Sequence, residues 1–304
     1  MPRDGAAGDG IAEIAAGRRD DPVAGIVLIL VAMVLFSFSD ATAKFLTQSL
    51  PALEIAWLRF ACFVTILLPA LVKTGRQGIR SRRPALQLVR GLSLVASSVL
   101  FVLAVRYLPM ADATATSFVS PLFTTALAIP FLGERVGIRR WSAVAVGLIG
   151  VLIVVRPGTS AFHPAAILPI LSAMSWAMAM VITRKMSHVD GIVTMLAYAA
   201  GVGFIVLSAT LPFVWVPPTF GEIGLGIFIG VASTVGQWLI VQAYRRASAS
   251  VLAPFSYSQL LWSGTLGFVV FSAVPDGYTL LGAAIIVASG IYTAHREHVV
   301  ARGR

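Results

Sequence analysis

The sequence predicts an all-α integral membrane protein with ten transmembrane helices, organised as two inverted-topology five-helix repeats. Three observations predict it: the apolar runs, the placement of basic residues and an internal duplication. Of 304 residues, 58% are hydrophobic and 12% charged, with a mean hydropathy of +0.88. A soluble domain of this length is roughly a quarter charged, so most of this surface meets something other than water.

A helix needs about 20 mostly apolar residues to cross hydrocarbon. Ten stretches qualify, at residues 23–45, 51–72, 88–106, 110–131, 138–156, 165–185, 190–212, 220–242, 249–272 and 277–294. They must be helical, because hydrocarbon offers the backbone no hydrogen-bond partner. Residues 1–21 are rich in Gly, Ala, Asp and Arg and lack an apolar run before a cleavage site. They are expected to form a mobile cytoplasmic tail, with residues 296–304 as a second cytoplasmic tail.

The net charge of +10 is carried in short connections between apolar spans, which is a topology signal and not a nucleic-acid footprint. With the N-terminus inside, the inner segments hold 19 of the 23 basic residues and leave Lys44, Arg59, Arg106 and Arg156 to the membrane or the outer side. That bias favours both termini in the cytoplasm and an even number of spans. The single cysteine, Cys62, lies in an apolar run, so no disulfide forms within the chain.

The duplication pairs Tyr107 to Pro157 with Tyr244 to His295. An offset of 137 places Tyr107 on Tyr244, Ala111 on Ser248 and Phe118 on Phe255, and about three further residues bring Gly150 onto Gly290. Each copy opens on a small-residue turn, runs through an apolar helix with a break, and closes on a Gly-dotted helix. Two Ala/Gly-rich membrane segments also resemble one another by composition alone. The repeats are expected at 22–157 and 163–295; with five spans each, they insert in opposite senses, and function sits between them near mid-membrane.

No catalytic constellation is present. His163, His188, His295 and His298 fall at loops or termini, whereas a metal site needs several converging ligands. No HExxH and no glycine-rich phosphate loop occurs; enzyme chemistry, a cofactor and a metal are not expected.

The spans instead carry scattered polar and aromatic side chains. In span one, Ser37, Asp40 and Lys44 stand out, and Asp40 and Lys44 are four apart on one face. Their pairing would offset the cost of an intramembrane carboxylate, while Lys44 could equally snorkel to the headgroups. Asp40 is a candidate for a cationic substrate group. In span three, Ser97 and Phe101 share a face, although small hydroxyls also serve close packing. In span four, Pro121 frees a backbone carbonyl near Ser117, a polar point that must face protein or a cavity.

Trp176 in span six, Gln237 and Trp238 in span eight, and Tyr257 and Gln259 in span nine supply an opposite wall. Together they suit a small zwitterionic or neutral amphiphile, with amide and hydroxyl bonds at one end and ring contacts at the other. Trp238 could also be a packed core residue. Arg59, eight residues into span two, is expected to form a structural pair with Glu54 or Asp40 rather than to bind substrate. The glycines of spans five and ten, Gly147 with Gly150 and Gly282 with Gly290, read as close-packing faces and equally suit a dimer contact.

The chain resembles the ten-helix, EamA-like type of the drug/metabolite transporter superfamily over residues 23–295. The resemblance is carried by LFSFSDATAKFL in span one, by LRF at Leu58–Phe60, by the Tyr107–Val136 stretch with GLIGVLIVVRPG after it, and by QAYRRASASVLAPFSYSQLLWSGTLGFVVF in the second half. Among members it is most similar to the bacterial aromatic amino acid exporters. The resemblance implies a basket of ten helices around a central cavity in the bacterial inner membrane, lined by spans one, three, four, six, eight and nine. On this sequence that selects Ser37, Asp40, Ser97, Phe101, Ser117, Trp176, Gln237, Trp238, Tyr257 and Gln259. The family's acidic turn after span four is present as Gly133, Glu134 and Arg135; its second-half counterpart departs, as Val274, Pro275 and Asp276.

The expected function is export of small amphiphilic metabolites, amino acids including aromatic ones among them, by alternating access. The alternative is uptake, exchange or efflux of another small metabolite or a cationic drug-like compound. The partners expected are that small-molecule substrate and the lipid bilayer, with no nucleic acid; the chain could act as a monomer or a dimer. A channel would show a continuous polar stripe or repeated filter, and a scaffold would need large loops, neither of which the sequence contains.

Overall fold

The computed structural model describes residues 21–132, 138–159, 162–186, 189–247 and 249–302. The first twenty residues, the Gly133–Glu134–Arg135 turn, His188 and Ser248 lie outside the described residues.

Among the described residues the chain is all α. Its helices are α1 (Pro22–Leu46), α2 (Ala52–Ile79), α3 (Pro84–Tyr107), α4 (Met110–Ser117), α5 (Ser120–Leu132), α6 (Ile138–Val155), α7 (Ile167–Met186), α8 (Ile192–Thr210), α9 (Phe220–Arg246), α10 (Ala249–Ser256), α11 (Ser258–Phe271) and α12 (Gly277–Arg302). Every one of the ten expected stretches falls on helix. Seven helical spans are long and apolar enough to cross a membrane; Ala145–Val155, Ser258–Phe271 and Gly277–Tyr292 are shorter apolar helices. The ninth span is divided by a break at Tyr257, which leaves Ser258–Phe271 as a helix of its own.

Local chemistry sets the helix ends. Asp21 Oδ1 accepts from the Ala24 amide at 3.0 Å with Pro22 at the first position of α1, filling an otherwise orphaned donor. At α9 the Thr219 and Glu222 side chains form a reciprocal capping box. The fourth span breaks at Phe118–Val119, with Pro121 in the first turn of α5, where its missing N–H costs nothing. Three residues after Pro254, the ninth span breaks at Tyr257.

The helices pack in a pattern that survives exchange of the two halves. The contact of α1 with α9 is matched by that of α7 with α3, and α1 with α11 by α7 with α5, while α2 meets α8 and α6 meets α12. Serine clasps mark the first match: Ser39 Oγ meets Ser233 Oγ at 2.9 Å between α1 and α9, and Ser97 Oγ meets Ser172 Oγ at 3.2 Å between α3 and α7. Between α6 and α12 the backbones are in contact, since a Cβ on Gly150 would lie 2.9 Å from the Gly282 carbonyl and one on Gly282 would lie 2.6 Å from that of Gly150. This is the close-packing role expected of these glycines.

Contacts sort the connections into two ends of the bundle. At one end Lys44 reaches Leu108, Tyr107 stacks on His163, Arg156 pairs with Asp276, and Ser49 bonds Glu222. At the other, Gly25 lies against Ala247, Ser81 and Gln87 bond Asp190, and Lys185 Nζ donates to the Phe131 carbonyl. Successive spans therefore run in alternating directions, with the Arg80 and Phe162 connections at opposite ends. The Asp190 end carries Arg82, Arg83 and Lys185.

Outside the spans, two carboxylates are held ionised by local donors. Burial alone would push the Asp190 carboxyl up, but hydrogen bonds from Ser81, Gln87 and the Arg82 amide outweigh it and hold the group below the ordinary carboxylate value. The Thr279 amide, with Arg156 beside it, does the same for Asp276.

Candidate functional site

The polar residues of α1 gather partners from four other helices. Arg59 on α2 places Nη2 3.5 Å from Asp40 Oδ1. The same guanidinium donates from Nη1 to Ser98 Oγ on α3 at 3.3 Å and from Nη2 to Ser39 Oγ at 3.4 Å. Ser39 in turn meets Ser233 on α9. From α11, Gln259 Nε2 donates to Asp40 Oδ2 at 3.4 Å. Asp40 is 9% exposed and Ser37, one helical turn earlier on the same face, is fully buried. A charge in hydrocarbon is tolerated only when paired or facing a polar interior, and this cluster pairs the only two charged side chains in the middle of α1 and α2.

Asp40 lies six residues before the end of α1 and Arg59 seven after the start of α2. At 1.5 Å per residue both sit roughly 10 Å below the Arg156 end, about a third of the way through a 30 Å hydrocarbon core.

The two helix breaks meet beside this cluster. Phe118, at the break between α4 and α5, and Tyr257, at the break between α10 and α11, hold their rings 4.9 Å apart at a 34° tilt. Gln259 is the second residue of α11, directly after that break, and its amide reaches Asp40.

The other sequence-selected residues are not all in this place. Ser97 is engaged with Ser172, whose hydroxyl also donates to the Ser97 carbonyl at 2.8 Å, so it fastens α3 to α7. Phe101 packs half-buried against Ala104, Val105, Leu108 and Ala113. Ser117 donates to the Ala113 carbonyl at 2.9 Å, Trp176 and Gln237 are half-buried, and Tyr257 is buried in an apolar cluster with Val119, Val151, Ala173 and Ile286. Trp238 is 59% exposed.

One pairing differs from expectation, and another is narrowed to one of its two expected partners. Lys44 does not pair with Asp40; its Nζ donates to the Val105 and Leu108 carbonyls at the end of α3 and lies 5.3 Å over the Phe271 ring. A lysine there satisfies helix-terminal acceptors and complements the dipole. Of the two acids offered to Arg59, Asp40 takes it, whereas Glu54 Oε2 accepts from the Val216 amide at 3.1 Å. Ser39, Ser98 and Ser233 complete the cluster without having been singled out as site residues. The available signal was the place of Ser39 next to Asp40; Ser98 and Ser233 have no charged residue near them in sequence.

The EamA-like transporter family matches this chain twice, over residues 23–156 and 163–294. The chain belongs to the EamA-like transporter family. It is therefore a small-molecule transporter and not an enzyme, and a multi-pass protein of the bacterial inner membrane. Curated relatives span nearly its whole length. An S-adenosylmethionine uptake transporter of Rickettsia bellii is 31% identical over 90% of this chain and 94% of its own. A riboflavin transporter of Vibrio cholerae is 33% identical over 91% and 94%, and the pseudopaline exporter CntI of Pseudomonas aeruginosa 30% identical over 88% and 94%. A solved crystal structure superposes with a TM-score of 0.62 at 20% identity, covering 90% of this chain and 98% of that one, so the two chains share a fold.

Proposed function

We propose that this protein is an alternating-access carrier for a small metabolite that bears both rings and ionic groups, and that the substrate passes the Asp40–Arg59–Gln259 cluster. The observation that carries the reading is the Gln259 contact on Asp40, because it joins a charge in the first half to a helix break in the second. Two inverted five-helix repeats, 22–157 and 163–295, then rock about this point. Support comes from the half-exchange symmetry of the packing and from the double family match. Both termini lie in the cytoplasm in this reading, with the basic Asp190 end inside.

Relatives that carry S-adenosylmethionine, riboflavin and pseudopaline support uptake, exchange or efflux of such metabolites better than export of plain aromatic amino acids. The deciding experiment is flux in proteoliposomes across S-adenosylmethionine, riboflavin and the aromatic amino acids. Saturable flux of one of the first two, lost in Asp40→Asn, is expected. Flux confined to aromatic amino acids would restore the export reading, and flux unaffected by Asp40→Asn would remove the cluster from the path.

A further inference from the structure

The contacts around Arg59 are loose by comparison with other guanidinium contacts in the same molecule. Arg59 to Asp40 spans 3.5 Å, Gln259 to Asp40 3.4 Å, and Arg59 to Ser39 and Ser98 3.4 and 3.3 Å. At the bundle's end Arg156 meets Asp276 at 2.6 Å, and Arg90 Nε meets Thr183 at 2.6 Å. Charge-assisted bonds ordinarily close to about 2.7–2.9 Å. The interior is where loose bonding costs most, since a partly satisfied polar group is poorly compensated in low dielectric. Two further buried atoms of the cluster, Arg59 Nε and Ser37 Oγ, have no hydrogen-bond partner among the described residues. The site thus holds one cation, one anion and unused hydrogen-bonding capacity, with no net charge.

We infer that Asp40 and Arg59 are each other's stand-in for the two charges of an α-amino acid group, which enters between them so that its ammonium bonds Asp40 and its carboxylate bonds Arg59. This rests on the carrier reading above and names its substrate class. One stretched ion pair is exchanged for two, and the site stays neutral, so binding buries no uncompensated charge. Gln259 follows Asp40 onto the ammonium side, which couples occupancy to the α10–α11 break. A purely cationic amine would leave Arg59 unpaired and a purely anionic acid would leave Asp40 unpaired, so both are disfavoured. The same geometry makes Arg59 a specificity-determining residue and not a structural one.

The test is uptake by the full chain in proteoliposomes of two matched series and of riboflavin. One series is S-adenosylmethionine, S-adenosylhomocysteine and 5′-methylthioadenosine; the other is L-tryptophan, tryptamine and indole-3-propionate. In whichever series is carried, the members with an intact amino acid end are expected to move at least about tenfold faster than those lacking it. In Arg59→Gln that preference is expected to fall away. Because the selectivity of the unaltered protein decides, a poorly folding variant does not blunt the test. Equal flux of 5′-methylthioadenosine or tryptamine, or flux of riboflavin alone, overturns the inference while leaving the carrier intact; no flux of any compound removes both.

Discussion

The Tyr257 phenol fills the space that a side chain on residue 290 would need. A Cβ on Gly290 would lie 1.6 Å from the phenol oxygen and 2.2 Å from Cζ, so the ring of the broken ninth span is seated on the backbone of α12. Gly290→Ala is expected to displace a rigid ring from a packed cluster, at about 1–3 kcal/mol, and to lower the thermal midpoint in detergent. Shortening the ring in Gly290→Ala/Tyr257→Leu should return part of the loss. An unchanged midpoint in the single variant would contradict this packing.

Arg156 and Asp276 tie the end of α6 to the start of α12. Arg156 adopts a left-handed conformation, φ 50°, at a cost of about 1–2 kcal/mol for a non-glycine residue. Its 2.6 Å pair with Asp276 and its position 5.1 Å over the Tyr278 ring hold it there. Asp276 is 44% exposed in its side chain, so Asp276→Asn is expected to cost no more than about 1 kcal/mol. The folded carboxyl lies below its ordinary value of 3.8, so the contribution is complete above that pH and is lost as pH falls through the folded value. The difference in thermal midpoint between the two proteins should be present at neutral pH and shrink in acid; a difference that grows in acid would refute the sign.

Asp190 gathers Ser81, the Arg82 amide at 3.0 Å and Gln87 Nε2 at 2.8 Å. It pins the α2–α3 connection to the α7–α8 connection. Asp190→Ala strands the fully buried Gln87 amide and is expected to cost about 1–3 kcal/mol, read as a lower folded yield and thermal midpoint. Substrate affinity should hold, because the carboxylate is at the opposite end of the bundle from Asp40. A variant with native stability would show that the connection is held by other contacts.

What the residues alone disclosed follows from how local each signal is. Apolar length and basic asymmetry depend only on the chain and its solvent, so the ten stretches fell where expected. Pro121 announced the break at Phe118–Val119 because its effect is confined to one turn. Partner choice across helices is different. Helical spacing placed Lys44 and Asp40 on one face, but it could not say that the open carbonyls of α3 lay opposite the lysine and Arg59 opposite the acid. Trp238 suits a lipid face and a binding wall equally, and its exposure agrees with either. Ser97 likewise suited either a wall or a clasp, and its partner, the Ser172 hydroxyl on α7, could not be read from spacing along α3.

The central claim is a single site between the halves that opens to each side in turn. Its most direct test is thiol labelling of Ser98→Cys in a Cys62→Ser background, since Ser98 touches Arg59 at 3.3 Å. With a membrane-impermeant reagent, the account predicts modification in right-side-out and in inside-out vesicles alike, with substrate protecting from both sides. Modification from one side only, unchanged by substrate, would contradict it.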